Sequence, residues 1–160
     1  MKHVKISVFI IFILGLTLTA CGGKLSIEDP WTRPALIDGN GAAYVVIENN
    51  TGSDEILLGA LTEAAEVVEL HDVVMKDVSE MEGEGMPDSG EMAEGNMAMQ
   101  MVKQEFVQIH AGETVTFEPG GLHVMMIGMQ DNLIQGDSIM LTLIFQNAGE
   151  VTIEVPVESR

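Results

Sequence analysis

The sequence contains a single cysteine, Cys21, and few basic residues: Lys and Arg together number 7, against 25 Asp and Glu. One thiol cannot form a disulfide within the chain. The net charge of −18 makes nucleic acid and anionic lipid headgroups poor partners, because both repel an acidic surface. The 160 residues are enough for one ordinary domain with its own core.

Long apolar runs are also missing, apart from one near the N-terminus between about Ile6 and Ala20. This run is shorter than the roughly 20 residues of a membrane-spanning helix, and Lys2 and Lys5 precede it, as in a secretory signal. It ends in Leu-Thr-Ala-Cys, which resembles the lipobox of bacterial lipoproteins. The alternative is a plain signal peptide followed by an unmodified cysteine. We therefore predict a signal peptide at residues 1–20, a lipidated Cys21, a short tether at 21–24 and a single domain at 25–160.

This reading of the N-terminus places the protein outside the cytoplasm. We expect it to be lipid-anchored to a bacterial membrane, on the periplasmic side or the outer face. Removal of residues 1–20 takes away two lysines and no acid, so the net charge of −18 becomes −20. A lipidated Cys21 leaves the mature domain without a thiol, which excludes a blue-copper electron carrier and any cysteine-based metal site.

Patterns typical of an enzyme are missing as well. Ser and His do not fall into the frame of a catalytic triad, and the glycines follow no phosphate-loop pattern. Carboxylates are plentiful, but most lie in one polar segment where rigid positioning for acid-base chemistry is not expected. We therefore do not expect an enzyme.

What the sequence does contain is a series of short segments rich in Val, Ile, Leu and Thr. Turn signals such as Asp-Gly-Asn-Gly, Asn-Asn-Thr-Gly and Pro-Gly-Gly separate them, and no amphipathic helix is evident. Seven short strands in this pattern predict an all-β fold, an antiparallel β-sandwich. The predicted strands cover residues 42–48, 55–61, 66–73, 114–117, 122–127, 138–145 and 151–157.

One segment, at about residues 76–97, departs from this pattern of short strands and turns. It is dominated by Glu, Asp, Gly, Ser and Met, with a proline in the middle, and we predict a flexible insertion there. Its methionines recur every few residues beside acids, a pattern that resembles copper-recruiting segments of extracytoplasmic copper proteins. The alternative is a solvated insertion in which methionine is merely tolerated. The candidate auxiliary ligands in and beside this segment are Met75, Met81, Met86, Met92, Met97 and Met99.

His123 and Met125 form an H-x-M step within the predicted strand at 122–127. Strand residues two apart lie on one face, about 6.6 Å apart at a rise of about 3.3 Å per residue, so both side chains can reach one ion. Imidazole and thioether ligands favour Cu(I) over magnesium, calcium or manganese. Met126 points to the opposite face and is expected in the core.

Seven stretches of the sequence together resemble one known family. They are Trp31-Thr-Arg-Pro, Asn40-Gly-Ala-Ala-Tyr, Val68-Glu-Leu-His, Ala111-Gly-Glu-Thr-Val, Pro119-Gly-Gly-Leu-His-Val-Met, Gly136-Asp and Glu150-Val-Thr-Ile-Glu-Val-Pro. On these stretches, from about Trp31 to Val157, the chain resembles the PCu(A)C family of extracytoplasmic copper chaperones. The resemblance implies a cupredoxin-like Greek-key sandwich that binds one Cu(I) ion, and we expect a monomer. It also implies delivery to the binuclear copper centre of cytochrome c oxidase subunit II, alongside a thioredoxin-like copper protein.

The ligand set that the resemblance implies is His71, Met101, His123 and Met125. The family motif places ten residues between the first His and the Met, whereas twenty-nine separate His71 from Met101 here. The surplus is the Met-rich segment, and lengthening a loop adds only about 0.6 kcal/mol of closure entropy per doubling. The departure leaves the second ligand open, because Met97 and Met99 share strand parity with Met101 and Met75 lies four residues from His71.

Two other functions fit parts of the sequence. In a copper buffer or resistance protein, the Met-rich segment would hold additional ions without delivering them, so more than one copper would bind per chain. In a metal-free structural lipoprotein of the cell surface, the sandwich would remain but its stability would not respond to Cu(I).

Overall fold

A computed structural model describes residues 23–77 and 97–160. The predicted signal peptide, the predicted lipidation site Cys21 and the methionines Met81, Met86 and Met92 lie outside these residues. Within the described part of the chain, no helix is long and apolar enough to cross a membrane.

The described residues form ten β-strands. They belong to two sheets, and the chain crosses repeatedly from one sheet to the other. The strands are β1 Leu25–Thr32, β2 Asn40–Asn49, β3 Glu55–Leu61, β4 Ala65–Asp77, β5 Met97–Gln104, β6 Val107–Ile109, β7 Thr114–Phe117, β8 His123–Met129, β9 Ser138–Phe145 and β10 Gly149–Pro156.

The first sheet has the order β1-β2-β8-β4-β5, with β7 also paired to β2, and the second has the order β10-β9-β3-β6. Every pairing between these strands is antiparallel. This arrangement confirms the predicted all-β antiparallel sandwich. Each of the seven predicted strands is present, with ends that differ by up to four residues.

The core lies between the two sheets and follows the two-residue period of the strands. The first sheet contributes Val45, Ile47, Leu70, Val124 and Met126, each at most 2% exposed. The second sheet contributes a matching layer, consisting of Leu57, Leu141, Leu143, Phe145 and Val155. The residues that alternate with these along the strands of the first sheet, such as His71, point to its outer face.

The strands β7 and β8 form one interrupted strand along the same edge of β2. Residues 45–48 of β2 pair with β7 and residues 40–43 pair with β8. Between them the chain leaves the sheet in a short loop, closed by hydrogen bonds from the Glu118 N–H to the Leu122 carbonyl and from the Gly121 N–H to the Glu118 carbonyl. Gly120 has a φ of 84° in this loop, a left-handed conformation that glycine adopts without steric strain. His123 is therefore the first residue after the interruption.

Three strands, β1, β5 and β6, were not among those predicted. β1 contains Pro30 beside two acids, a composition that argues against a strand, and its pairing with β2 shifts register between Glu28 and Trp31. A proline is tolerated there because β1 lies at the edge of its sheet. Arg160 donates two hydrogen bonds to the Asp29 carboxylate at this bulge, at 2.7 and 2.8 Å, which ties the C-terminus to β1.

β4 is longer than predicted and forms a hairpin with β5. Pairing continues from Leu70↔Gln104 to Asp77↔Met97, four residues beyond the predicted end of β4 at Val73. Both ends of the predicted insertion at 76–97 are therefore strand, and the residues from 78 to 96 lie outside the described part of the chain.

Glu55 is a buried carboxylate that fastens the turn between β9 and β10. It is 4% exposed and accepts hydrogen bonds from the backbone N–H groups of Ile56, Asn147 and Ala148 at 2.8 to 2.9 Å. Burial raises its pKa, but these hydrogen bonds outweigh burial and hold the pKa below its ordinary value. The ionised form is therefore the one that stabilises the fold.

We predict that Glu55→Gln lowers the free energy of unfolding at pH 7 by about 1 to 3 kcal/mol, since it removes a charged acceptor from buried donors. A carboxyl with a lowered folded-state pKa stabilises the fold above its ordinary pKa of about 4.5, and this contribution disappears as the pH falls through the folded value. The difference between wild type and variant should therefore shrink below about pH 4.5. Urea unfolding at several pH values tests this, with exposed Glu150→Gln as the control. A difference that is constant with pH would contradict it.

Candidate metal centre

The predicted ligands come together on the outer face of the first sheet, where β4 lies between β5 and β8. His71 of β4 is in register with His123 of β8. Met101 of β5 is in register with Val73, two residues further along β4. Because residues in register share a face, the two histidines, Met101 and Met125 all lie on this outer face.

His123 is 5% exposed, and its ring is fixed by the loop that precedes it. Its Nδ1 lies 2.9 Å from the carbonyl oxygen of Gly121. A carbonyl only accepts hydrogen bonds, so Nδ1 carries the proton of the neutral ring. Nε2 is left with a lone pair that can bind a metal.

His71 has the opposite arrangement. Its Nε2 lies 2.8 Å from an oxygen of Glu69, whose other oxygen accepts a hydrogen bond from Lys103. The Lys103 ammonium, and then His71, hold the pKa of Glu69 below its ordinary value, so Glu69 is an anionic acceptor. Nε2 therefore carries the proton, and Nδ1, which is buried without a hydrogen-bond partner, keeps its lone pair.

The two imidazoles lie beside each other, with ring centroids 5.8 Å apart and planes inclined at 58°. A metal–imidazole bond is about 2 Å long in proteins, so this separation leaves room for one ion between the rings. A hydrogen bond from the second nitrogen is the usual way in which proteins orient a metal-binding histidine. Both rings are thus held as metal ligands require.

The two methionines differ in exposure. Met125 is partly buried, whereas Met101 is 58% exposed. Both line a shallow depression together with His123, and Arg33, Tyr44 and Pro119 form other parts of its wall. Met125 and Met101 therefore flank the histidine pair from β8 and from β5.

The auxiliary methionines lie further along the hairpin. Met75 and Met99 face each other across β4 and β5 and are 50% and 68% exposed. Met97 pairs with Asp77 at the end of the described hairpin. As predicted, Met126 is buried in the core. His110 is exposed, with Nδ1 3.1 Å from Asp54.

Sequence reasoning missed the residues that orient the histidines. Glu69 lies two residues before His71, so it shares the strand face of His71, and this spacing was the available signal. Lys103 follows Met101 at the same spacing on β5. The Gly121 carbonyl could not be foreseen, because its direction depends on the loop between β7 and β8.

The chemistry of the donor set restricts the kind of metal. Within residues 23–77 and 97–160, no group of three His, Cys, Asp or Glu side chains is placed to hold a metal ion. The soft donors that line the depression beside His123 are the thioethers of Met101 and Met125. Neutral, polarisable ligands of this kind select a soft ion such as Cu(I).

The sequence matches the model of a protein family described as "Putative lipoprotein LpqE-like", over residues 25–88 and 84–157. A curated relative, "Putative lipoprotein Lxx21020" of Leifsonia xyli subsp. xyli, is 29% identical over 136 residues. The alignment covers 84% of this chain and 69% of that relative. The family match includes all ten strands.

Solved PCuAC domains have the same fold. The copper-bound PCuAC domain from PmoF2 is 24% identical, with a TM-score of 0.63 over 87% of this chain and 96% of that one. The solution structure of the Cu(I) form of DR1885 from Deinococcus radiodurans is also 24% identical, with a TM-score of 0.55 over 87% of this chain and 81% of that one. The resemblance inferred from sequence motifs is thereby confirmed at the level of the fold.

We predict that the neutral rings adopt different tautomers, with the proton on Nε2 in His71 and on Nδ1 in His123. Long-range proton–nitrogen correlation spectra, recorded in alkaline buffer, distinguish the two forms. Glu69→Ala should shift His71 towards a mixture of tautomers, because it removes the acceptor of the Nε2 proton. His123 serves as the internal control and should not change. Observation of the Nδ1–H form of His71 in the wild type would contradict the prediction.

Proposed function

We propose a copper-carrying function for this chain, which belongs to the family of LpqE-like lipoproteins. In this proposal it is an extracytoplasmic chaperone that binds one Cu(I) ion through His71, Met101, His123 and Met125. The observation that carries the proposal is the histidine pair, in which one nitrogen of each ring is engaged by Glu69 or Gly121 and the other is left to bind.

The charge of the ligands supports transport rather than permanent storage. Two neutral imidazoles and two neutral thioethers leave Cu(I) with its single positive charge, and none of the four metal–ligand bonds is to an anion. Copper can then pass to a partner by stepwise exchange of one ligand at a time. Met101, the most exposed of the four, is the natural first ligand to be exchanged. The protein in this proposal is a carrier and not an enzyme.

The lipobox-like sequence before Cys21 supports a membrane location for this carrier. A lipid on Cys21 would leave only three residues before β1, which begins at Leu25. The domain would then operate close to the membrane surface, on the periplasmic side or the outer face, where membrane-bound copper enzymes receive their metal.

The proposed acceptor is the binuclear copper centre of cytochrome c oxidase subunit II, with a thioredoxin-like copper protein acting beside it. This step rests on the resemblance to copper chaperones and not on any feature of the surface. Solved PCuAC domains, including the copper-bound domain from PmoF2, support the copper-binding part of the proposal through their shared fold.

We predict that the soluble chain from residue 22 onwards binds one tight equivalent of Cu(I) in an anaerobic titration against a chromophoric chelator. His123→Ala combined with Met125→Ala should abolish this equivalent, because it removes both ligands supplied by β8. The matched control is His110→Ala with Met140→Ala, which removes an exposed His and an exposed Met elsewhere.

The control variant should bind as the wild type does, and Cu(I) should raise the melting temperature of both. A ligand that binds only the folded state stabilises it by about 4 kcal/mol at a concentration of 1,000 times Kd. Several tight equivalents that survive the double substitution would favour a copper buffer. A melting temperature that does not respond to Cu(I) would favour the metal-free structural lipoprotein.

A second prediction concerns delivery. When the Cu(I)-loaded chain is mixed anaerobically with the apo soluble domain of cytochrome c oxidase subunit II, copper should move to that domain. The acidic chain is readily separated by anion exchange, after which copper is measured in each protein. Copper that stays with the chain, both alone and in the presence of a thioredoxin-like copper protein, would contradict delivery to this acceptor.

A further inference from the structure

We infer that Met75 and Met99 form a second, weaker site for Cu(I), from which the ion passes to the histidine pair by way of Met101. We refer to Met75 and Met99 as the outer methionine pair. This inference rests on the proposed copper-carrying function, and it adds a place on the surface where the ion first binds.

The register of the hairpin brings the two thioethers together. Met75 of β4 lies directly opposite Met99 of β5. Side chains directly opposite each other in an antiparallel pair have Cβ atoms about 4.5 to 5.5 Å apart. Methionine has three rotatable side-chain bonds and a terminal thioether, so both sulfur atoms can turn towards one ion between them.

Packing does not account for these two methionines. Met75 is 50% exposed and Met99 is 68% exposed, whereas Met126 and Met129 fill the core at no more than 1% exposure. Two half-exposed apolar side chains directly opposite each other on an outer strand pair contribute little to a core. Binding of a soft metal ion accounts for this placement, because thioether sulfur is one of the ligands that select Cu(I).

Met101 connects the outer methionine pair to the histidines. It lies two residues after Met99 on β5, or about 6.6 Å at the usual rise per strand residue, on the same face. It also lines the depression that contains His123 and Met125. The outer methionine pair, Met101 and the candidate metal centre therefore all lie on the outer face of the first sheet, with Met101 between the other two.

The number of ligands gives the transfer its direction. Two neutral thioethers hold Cu(I) less tightly than a site that adds two imidazoles, so the ion moves inwards to the histidines at equilibrium. Lys103, on the same face, is paired with Glu69 and lies beyond Met101 from the outer methionine pair. An ion that moves along β5 from the outer methionine pair therefore reaches Met101 before it reaches this ammonium group.

The test separates the outer methionine pair from the inner site and from the methionines between β4 and β5. In the soluble chain, His123→Ala and Met125→Ala remove the inner site. Substitution of the remaining segment methionines by leucine removes competing thioethers between the two strands. These are Met81→Leu, Met86→Leu and Met92→Leu.

Into this background we would introduce Met75→Leu with Met99→Leu, or Met140→Leu as the control. Met140 is a similarly exposed methionine, 57% exposed, on β9 of the other sheet. Leucine has nearly the volume of methionine but no sulfur, and melting curves verify that each variant folds. Cu(I) binding is measured anaerobically by competition with a weak chromophoric chelator.

We expect one weak equivalent in the background and in the control, and its complete loss in the variant without the outer methionine pair. An equivalent that survives this variant, or a background that folds but binds no Cu(I), would overturn the inference. If the background does not fold, the wild type answers the same question at two equivalents of Cu(I). The ε-methyl carbon resonances of Met75 and Met99 should then shift while that of Met140 stays fixed, and unshifted resonances would overturn the inference.

Failure here is distinguishable from failure of the proposed function. If the wild type binds one tight equivalent but the outer methionine pair does not respond, only the second site is wrong. If the wild type does not compete with the chelator at all, both the second site and the copper-carrying function are wrong.

Discussion

In the six-stranded sheet, β4 and β8 are aligned so that Leu70 lies opposite Val124 and His71 lies opposite His123. The first pair is fully buried between the sheets, and the second lies on the outer face. A slip of one strand by one residue would turn Leu70 or Val124 outwards and move the histidine beside it into the core. The hydrophobic core therefore fixes the position of the candidate metal centre, although none of its ligands contributes to that core.

The interruption between β7 and β8 supplies a backbone carbonyl that can accept a hydrogen bond from His123. A continuous strand along β2 would have its carbonyl groups engaged in the ladder, without one turned towards a side chain of the same strand. The loop frees the Gly121 carbonyl, which holds the ring of His123 by its Nδ1 proton. On the other side of the site, the anionic Glu69 performs the same task for His71. One ring is oriented by the backbone and the other by a charge.

The fold and part of the site could be predicted from the sequence because both depend on the two-residue period of strands. That period placed Met126 in the core and His123 with Met125 on one outer face, as the structure has them. β1 was missed because Pro30 and its acidic neighbours argue against a strand, and only its position at the edge of the sheet makes them tolerable. The pairing of Met75 with Met99 depends on hairpin register, which sequence periodicity within one strand does not determine.

The proposed ligands differ in solvent exposure, and this difference would help a carrier to release its ion to a partner. His123 is buried and its ring is fixed, whereas Met101 is more than half exposed on the neighbouring strand. An ion held by both would be fixed from the inside and accessible from the outside. A partner can replace the exposed thioether first, while the imidazoles still hold the ion, so copper need not be released into solution at any step. The same asymmetry would serve loading, because an ion that arrives along exposed thioethers reaches Met101 before it reaches the histidines.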